Sequence, residues 1–293
     1  MTLWSRAQSL QHKIIAAIVL VGLLPLTLLL VLTYIEERRA LRDMTGANFK
    51  EVAVEAARRL EMQVSRGMNE AQQLATTPFL HTAVTEANRT YEGKDARSIQ
   101  GMIKDWQQRW RQRGKPSEFP LFINRIVTNY LIRWHDIRRS DYVGILVTDQ
   151  QGALVVSSIP QVEYFYGKTA WWQAVVKGGS SRGYVSEIAF DPAFGSHVLV
   201  VAVPILDDAK EKAIGAVTIL LRRDTIFHAI ADVTIGATGH AMLFSSDGVP
   251  VMCPVLPPEA HTVRPELIGA LGKLEAGWAV AADDSHGDSL PCG

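Results

Sequence analysis

The stretch YVGILVTDQQGALVVSS, from Tyr142 to Ser158, decides the fold. The periodicity of the chain changes here from helical to strand-like. Two β-rich runs flank a corner at Asp149 and Gly152, which reads as a hairpin. Three similar runs follow: RGYVSEIAF (Arg182 to Phe190), HVLVVAVPI (His197 to Ile205) and AIGAVTILL (Ala213 to Leu221), separated by turns rich in Gly, Pro and Asp. Between the hairpin and these strands, YFYGKTAWWQAVVKGG predicts a loop and a short helix of high aromatic density. Five strands with one helical insertion predict an α+β fold, an antiparallel sheet with its helices on one side.

Upstream of Asp141 the pattern is helical. Glu36 to Ala75 contains no Pro, and Phe49, Ala53, Ala56, Leu60, Val64, Gly67, Ala71 and Leu74 recur at three and four spacing, which predicts a long spine helix. Its stripe suits either pairing with a second copy or packing within one chain. Pro78 ends or bends this helix, and YEGK (Tyr91 to Lys94) is a turn. A second helical pattern runs from Ala96 to Gln112 with Ile99, Met102, Ile103, Trp106 and Trp110 on one face. A third follows Pro116 and Pro120, from Leu121 to Arg138, with Phe122, Ile126, Val127, Tyr130, Leu131 and Trp134.

Further upstream, IIAAIVLVGLLPLTLLLVLTYI (Ile14 to Ile35) is 22 residues without a charge. At 1.5 Å per residue such a helix spans about 33 Å, enough for a hydrocarbon core of about 30 Å. The run exceeds the roughly 7 to 15 residues of a signal-peptide core and leads into EERR, so it reads as an uncleaved anchor. Arg6 and Lys13 precede it while Arg38, Arg39, Arg42 and Lys50 follow, so a strict count of positive charge favours residues 36–293 inside.

The whole chain has 293 residues, 47% hydrophobic and 20% charged, with 30 basic and 30 acidic side chains. That composition excludes a collagen or a disordered chain. Two cysteines, Cys253 and Cys292, make neither a disulfide scaffold nor a zinc knuckle. The neutral total hides a division: residues 1–140 hold 21 basic and 13 acidic side chains, and residues 141–293 hold 9 and 17. The basic excess around Arg109, Arg111, Arg113 and Lys115 predicts no nucleic-acid surface, because the neighbouring Trp residues fall on the apolar helix face. Catalytic patterns fail as well. Gly167 to Thr169 (GKT) lacks the leading Gly of a phosphate loop, Val162 standing in its place. His135 and Asp136 are adjacent on a helix and point apart, and His240 is a lone histidine. No enzyme activity, cofactor or metal is expected of this chain.

The order of features resembles the double Cache sensor domains of bacterial transmembrane receptors, which have a PAS-like fold. The resemblance rests on TDQQG after a strand, WWQAV, SEIAFDP, a strand ending AVPI, IGAV before a helix, and GATGHAMLFSSDGVPV (Gly236 to Val251), similar to the opening of a second module. It covers about residues 36–282. It implies a cytoplasmic N-terminus (1–13), a transmembrane helix (14–35), a spine and helical segment (36–140), a membrane-distal Cache module (141–235) and an incomplete membrane-proximal module (236–293). It also places residues 36–293 outside the bacterial inner membrane, against the charge count. The chain ends without a second apolar run or an output motif, which reads as a truncated sensor. The parent is then a receptor enzyme such as a histidine kinase or diguanylate cyclase, or the chain is an anchored interaction module without output.

In the resembled fold the distal pocket lies between the sheet and the loop-helix layer. That implies a small-molecule site lined by Tyr164, Tyr166, Trp171 and Trp172 on the layer and Tyr184, Glu187, Asp191 and His197 on or beside facing strands, with Lys168 and Arg182 as anion partners. One branch of the family binds amino acids through an Arg-Trp-Tyr segment and an Asp on a later strand. Here those places hold Ala170-Trp171-Trp172 and Leu220, so a free amino acid is not expected, because its ammonium would be buried unpaired. Carboxylates, other small metabolites or no ligand remain open. The membrane and a second copy paired through the spine are the other partners expected.

Overall fold

The computed structural model describes residues 12–15, 17–113, 125–160, 162–179, 182–192, 194–235, 239–245, 248–255, 261, 268–269 and 276–278. The chain divides into two units: Met1–Val54 with Arg264–Asp284 and Asp288–Gly293, and Glu55–Val263 with Ser285–Gly287. Pro116, Pro120, Leu121, Phe122, Lys115 and Cys292, all singled out in the sequence, lie outside the described residues.

In the first unit the apolar segment is helical, with a π turn at Val19–Leu23 in which Leu24 N–H donates to the Val19 carbonyl. Pro25 follows directly; it has no N–H, and the wider spacing lets the helix run on past it. From Leu24 to Ala75 the chain is one helix of 52 residues, α1. Its N-terminal part is long and apolar enough to cross a membrane.

The second unit is built on an antiparallel sheet. Helices α2 (Pro78–Arg89), α3 (Ala96–Arg113) and α4 (Arg125–Ile137) precede β1 (Tyr142–Asp149) and β2 (Leu154–Ser157). A short helix α5 (Ala170–Trp172), which widens into a π turn at Gln173–Lys177, comes before β3 (Tyr184–Val185), β4 (Ala189–Asp191), β5 (Ser196–Leu206) and β6 (Ala213–Arg222). The strand order is β2-β1-β6-β5-β3, with β4 also on β5. Helix α6 (Arg223–Ala231) and two small hairpins, β7 (Thr234–Ile235) with β8 (Gly239–His240) and β9 (Leu243–Phe244) with β10 (Pro250–Met252), follow. Val251 and Met252 join the same apolar core as the main sheet.

Two expectations need correction. The helices do not lie on one side: Ile145, Val147, Val201, Val203, Val217 and Ile219 face α1, α2 and α4, whereas Leu146, Ala202, Ala216 and Leu220 face α3 and α5. The strand sequences already contain the reason, because apolar residues occupy both alternating sets and each set needs a cover. Nor is Arg182 to Phe190 one strand. Ser186 interrupts it: its N–H donates to the Val200 carbonyl, and its hydroxyl accepts from Val200 N–H and donates to the Glu187 carbonyl. A side chain that takes over a ladder bond ends the regular strand.

The spine stripe packs within its own chain over its C-terminal part. Ala71, Leu74 and Ala75 are in the core, with Leu60, Val64 and Met68 against it. At Gly67 a Cβ would lie 3.2 Å from Leu221 Cδ1, so the missing side chain lets the helix approach the sheet. A polar clamp accompanies this contact. The Tyr142 hydroxyl at the start of β1 donates to Glu70 on α1, Arg138 Nη2 pairs with Glu70 at 3.2 Å, and Trp134 stacks on the Tyr142 ring. Tyr142→Phe leaves the buried Glu70 carboxylate one donor short and is expected to destabilise the fold by about 1–3 kcal/mol, measured by urea unfolding.

Candidate ligand-binding site

The face of the sheet under α3 and α5 holds the aromatic residues singled out in the sequence. Trp171 and Trp172 are buried with Val175 over Ala202 and Ala216, and Tyr166, Tyr184 and Val200 pack around them. The π turn after Trp172 keeps the pair against the sheet, and Trp172 Nε1 donates to the Asp149 carbonyl at 3.3 Å. Tyr166 and Trp171 have ring centroids 5.6 Å apart. Tyr164 lies in the neighbouring cluster with Ile103, Leu146, Leu154 and Leu220, 5.9 Å from the Trp110 ring. Leu220, which the resemblance places where one branch of the double Cache family has an acid, is packed among apolar side chains. On this same face the hydroxyls of Thr148 and Thr218 are fully buried with no hydrogen-bond partner.

The charged and polar candidates are not gathered there. Lys168, Arg182 and Glu187 are exposed. His197 packs edge-to-face on Phe190, and Asp191 lies opposite Ser196 at the start of β5. Tyr184 pairs with Ala202, five residues further along β5 than His197, or about 17 Å along a strand. The structure therefore brings Tyr166, Trp171, Trp172 and Tyr184 together and sets His197 and Asp191 apart from them.

A cavity of about 400 Å³ opens beside the Tyr164 cluster, lined chiefly by Tyr91, Lys94, Trp106, Asp149, Leu154 and Tyr164. Asp149 ends β1 and is 2% exposed. Its Oδ1 accepts Gln151 N–H at 2.8 Å and Ala153 N–H at 2.9 Å, which closes the hairpin turn, and its Oδ2 accepts the Tyr91 hydroxyl at 2.6 Å. Burial pushes the carboxyl up to about 6 even though these donors pull it down, and burial, helped by Asp149, also holds the Tyr91 and Tyr164 phenols well above their usual range. The turn depends on Gly152 at φ +89°, where a Cβ would run into the backbone of Gly167.

Sequence reasoning named Asp149 only as a corner, Tyr91 only as a turn residue and Trp106 only as apolar packing. Their meeting joins positions 58 residues apart, which no local spacing signals. A second, open groove of about 950 Å³ runs along α1 toward α4, between Glu55, Arg66, Glu70, Trp134 and Arg138. His240, read as a lone histidine, has Nε2 3.3 Å from the Cys253 sulfur. Among the described residues no cluster of potential metal ligands occurs.

No family model matches the chain, and no curated protein matches it. Solved structures similar to it are sensor domains of histidine kinases and chemoreceptors. The sensor domain of the Vibrio cholerae histidine kinase DctB is 13% identical with a TM-score of 0.41, over 62% of this chain and 58% of that one. The ligand-binding domain of the Pseudomonas aeruginosa amino acid chemoreceptor PctC, in complex with GABA, is 13% identical with a TM-score of 0.44, over 72% and 77%. That of the Campylobacter jejuni chemoreceptor Tlp3, in complex with 4-methylisoleucine, is 14% identical with a TM-score of 0.36, over 66% and 69%. The chain thus spans less than two thirds of the DctB sensor domain.

Asp149 sets a pH dependence. Its folded carboxyl titrates near 6, above the unfolded value near 4, so between these values the folded state holds the proton more firmly. The stabilisation is fully present below pH 4 and is lost as pH rises through 6. Chemical unfolding of the wild type is expected to lose up to about 3 kcal/mol over this window relative to Asp149→Asn, which has no such titration.

Proposed function

We propose that this chain is the signal-input region of a membrane-anchored bacterial receptor of double Cache type, with residues 36–293 extracytoplasmic and a small molecule as its signal. One observation carries the reading: a single unbroken helix, α1, leads from the apolar segment to Ala71, Leu74 and Ala75 in the core of the sheet. A ligand held by the sheet and its covering helices acts on the spine only if two spine arrangements differ in affinity for it. The clamp of Glu70, Tyr142 and Arg138 supplies a direct link between the two elements. Pairing of two spines across the membrane-proximal part of α1 belongs to the same proposal, as does an output domain in the complete receptor. The missing acid at Leu220 argues for a ligand other than a free amino acid.

Two measurements test this. Full-length protein in nanodiscs, scanned against a broad metabolite panel, is expected to give at least one hit. A ligand at about 100 times its dissociation constant adds about 2.7 kcal/mol, a rise in Tm of about 5–10 °C for a domain of this size. With no hit across the panel, recognition of a protein partner replaces small-molecule sensing. Lys210→Cys, on the exposed turn between β5 and β6, is expected to react with a membrane-impermeant maleimide in intact cells; labelling only after lysis reverses the orientation.

A further inference from the structure

The cavity at the end of β1 combines open volume, a buried charge and several aromatic walls. Its volume, about 400 Å³, is within the range of small-ligand sites. The Asp149 carboxylate borders it, and among the described residues no cation is ion-paired with this group. Oδ1 takes Gln151 and Ala153 N–H and Oδ2 takes the Tyr91 hydroxyl, with Gly152 N–H also close to the carboxyl. A carboxylate oxygen has two lone pairs, so Oδ2 can accept once more. The rings of Tyr91, Trp106 and Tyr164 line the rest, with Ile103 and Leu154 as apolar surface.

A buried carboxylate without a countercharge is costly, and a cation seated beside Oδ2 removes that cost. Aromatic faces attract the same kind of guest. An anionic ligand would instead meet the Asp149 charge. The other charged groups around the cavity do not fill the place of that cation. Lys94 is exposed and its ammonium donates to the Thr90 carbonyl at 2.5 Å, while Arg109 lies over Trp106 and pairs with Asp105 at 2.8 Å. Tyr91 and Tyr164 are the remaining titratable groups beside Asp149 and stay neutral.

We propose that this cavity is a binding site for a small organic cation, an aryl- or alkylammonium whose head pairs with Asp149 and whose apolar part lies against Trp106 and Tyr164. The inference deepens the sensing proposal and rests on it for any effect on the spine.

The test uses full-length protein in nanodiscs and two probes of similar size and opposite charge, phenethylamine and phenylacetate, followed by calorimetric titration. Phenethylamine is expected to bind saturably at pH 7.5 and at least tenfold more weakly at pH 5, where Asp149 takes up a proton; phenylacetate is expected not to bind. Asp149→Asn and Trp106→Ala should each weaken the amine at least tenfold. If Asp149→Asn fails to fold, Trp106→Ala and the pH dependence decide. The inference is overturned by a wild type that does not bind phenethylamine, by full amine affinity in folded Asp149→Asn, or by phenylacetate binding that is lost in Lys94→Ala. A panel hit without amine binding overturns this site and leaves sensing intact; amine binding that leaves a fluorophore on the spine unmoved supports the site and counts against sensing.

Discussion

Strand β1 is tied to the helices at both ends by a hydrogen bond between a phenol and a carboxylate. At its start the strand supplies the phenol, Tyr142, and α1 supplies the acid, Glu70; at its end the strand supplies the acid, Asp149, and the turn after α2 supplies the phenol, Tyr91. A bond to a charged acceptor contributes more than a neutral one, and a buried member left alone is costly, so each pair is far more stable made than broken. β1 lies between β2 and β6, inside the sheet. Fixing its two ends therefore fixes the register of the whole sheet against the helices that cover it. Burial raises the pKa of both phenols, so each pair persists as a neutral donor on an acid.

Local sequence made much of this architecture legible. Pro78 opens α2, the apolar face of Ile99, Ile103, Trp106 and Trp110 lies on the sheet, and Asp149 with Gly152 turns the hairpin. These features depend on residues a few positions apart, where spacing and turn chemistry act directly. What stayed hidden depends on distant partners. Nothing near Glu70 announces Tyr142, 72 residues away, and Ser186 gives no sign that its hydroxyl will replace a strand bond to Val200. Reading helices onto one face of the sheet failed for a related reason. A count of strands and helices ignores that Leu146 and Leu220 need a cover as much as Val147 and Ile219 do.

Composition alone does not say how the aromatic segment packs. Tyr166, Trp171, Trp172 and Tyr184 have the chemistry of a ligand pocket, and in the fold they mostly contact one another and the small residues Ala202 and Ala216. Large rings over small strand residues make a close-packed layer. A cavity lies where α3 and the turn after α2 meet the end of β1, and there the polar group is one that sequence assigned to turn formation. Asp149 does both jobs because its two oxygens point to different elements, Oδ1 to its own hairpin and Oδ2 to Tyr91.

Contacts cross between the basic residues 1–140 and the acidic residues 141–293: Arg111 pairs with Glu163 at 3.1 Å, and His81 Nε2 lies 3.6 Å from Asp208. Both pairs have an exposed acid, so screening by water leaves each worth little. Arg138 differs. It lies within the basic half yet reaches Glu70 beside Tyr142, where the acid is almost fully shielded. The exposed contacts thus add little to the docking of the helices on the sheet, whereas the two buried phenol–carboxylate pairs decide how they dock.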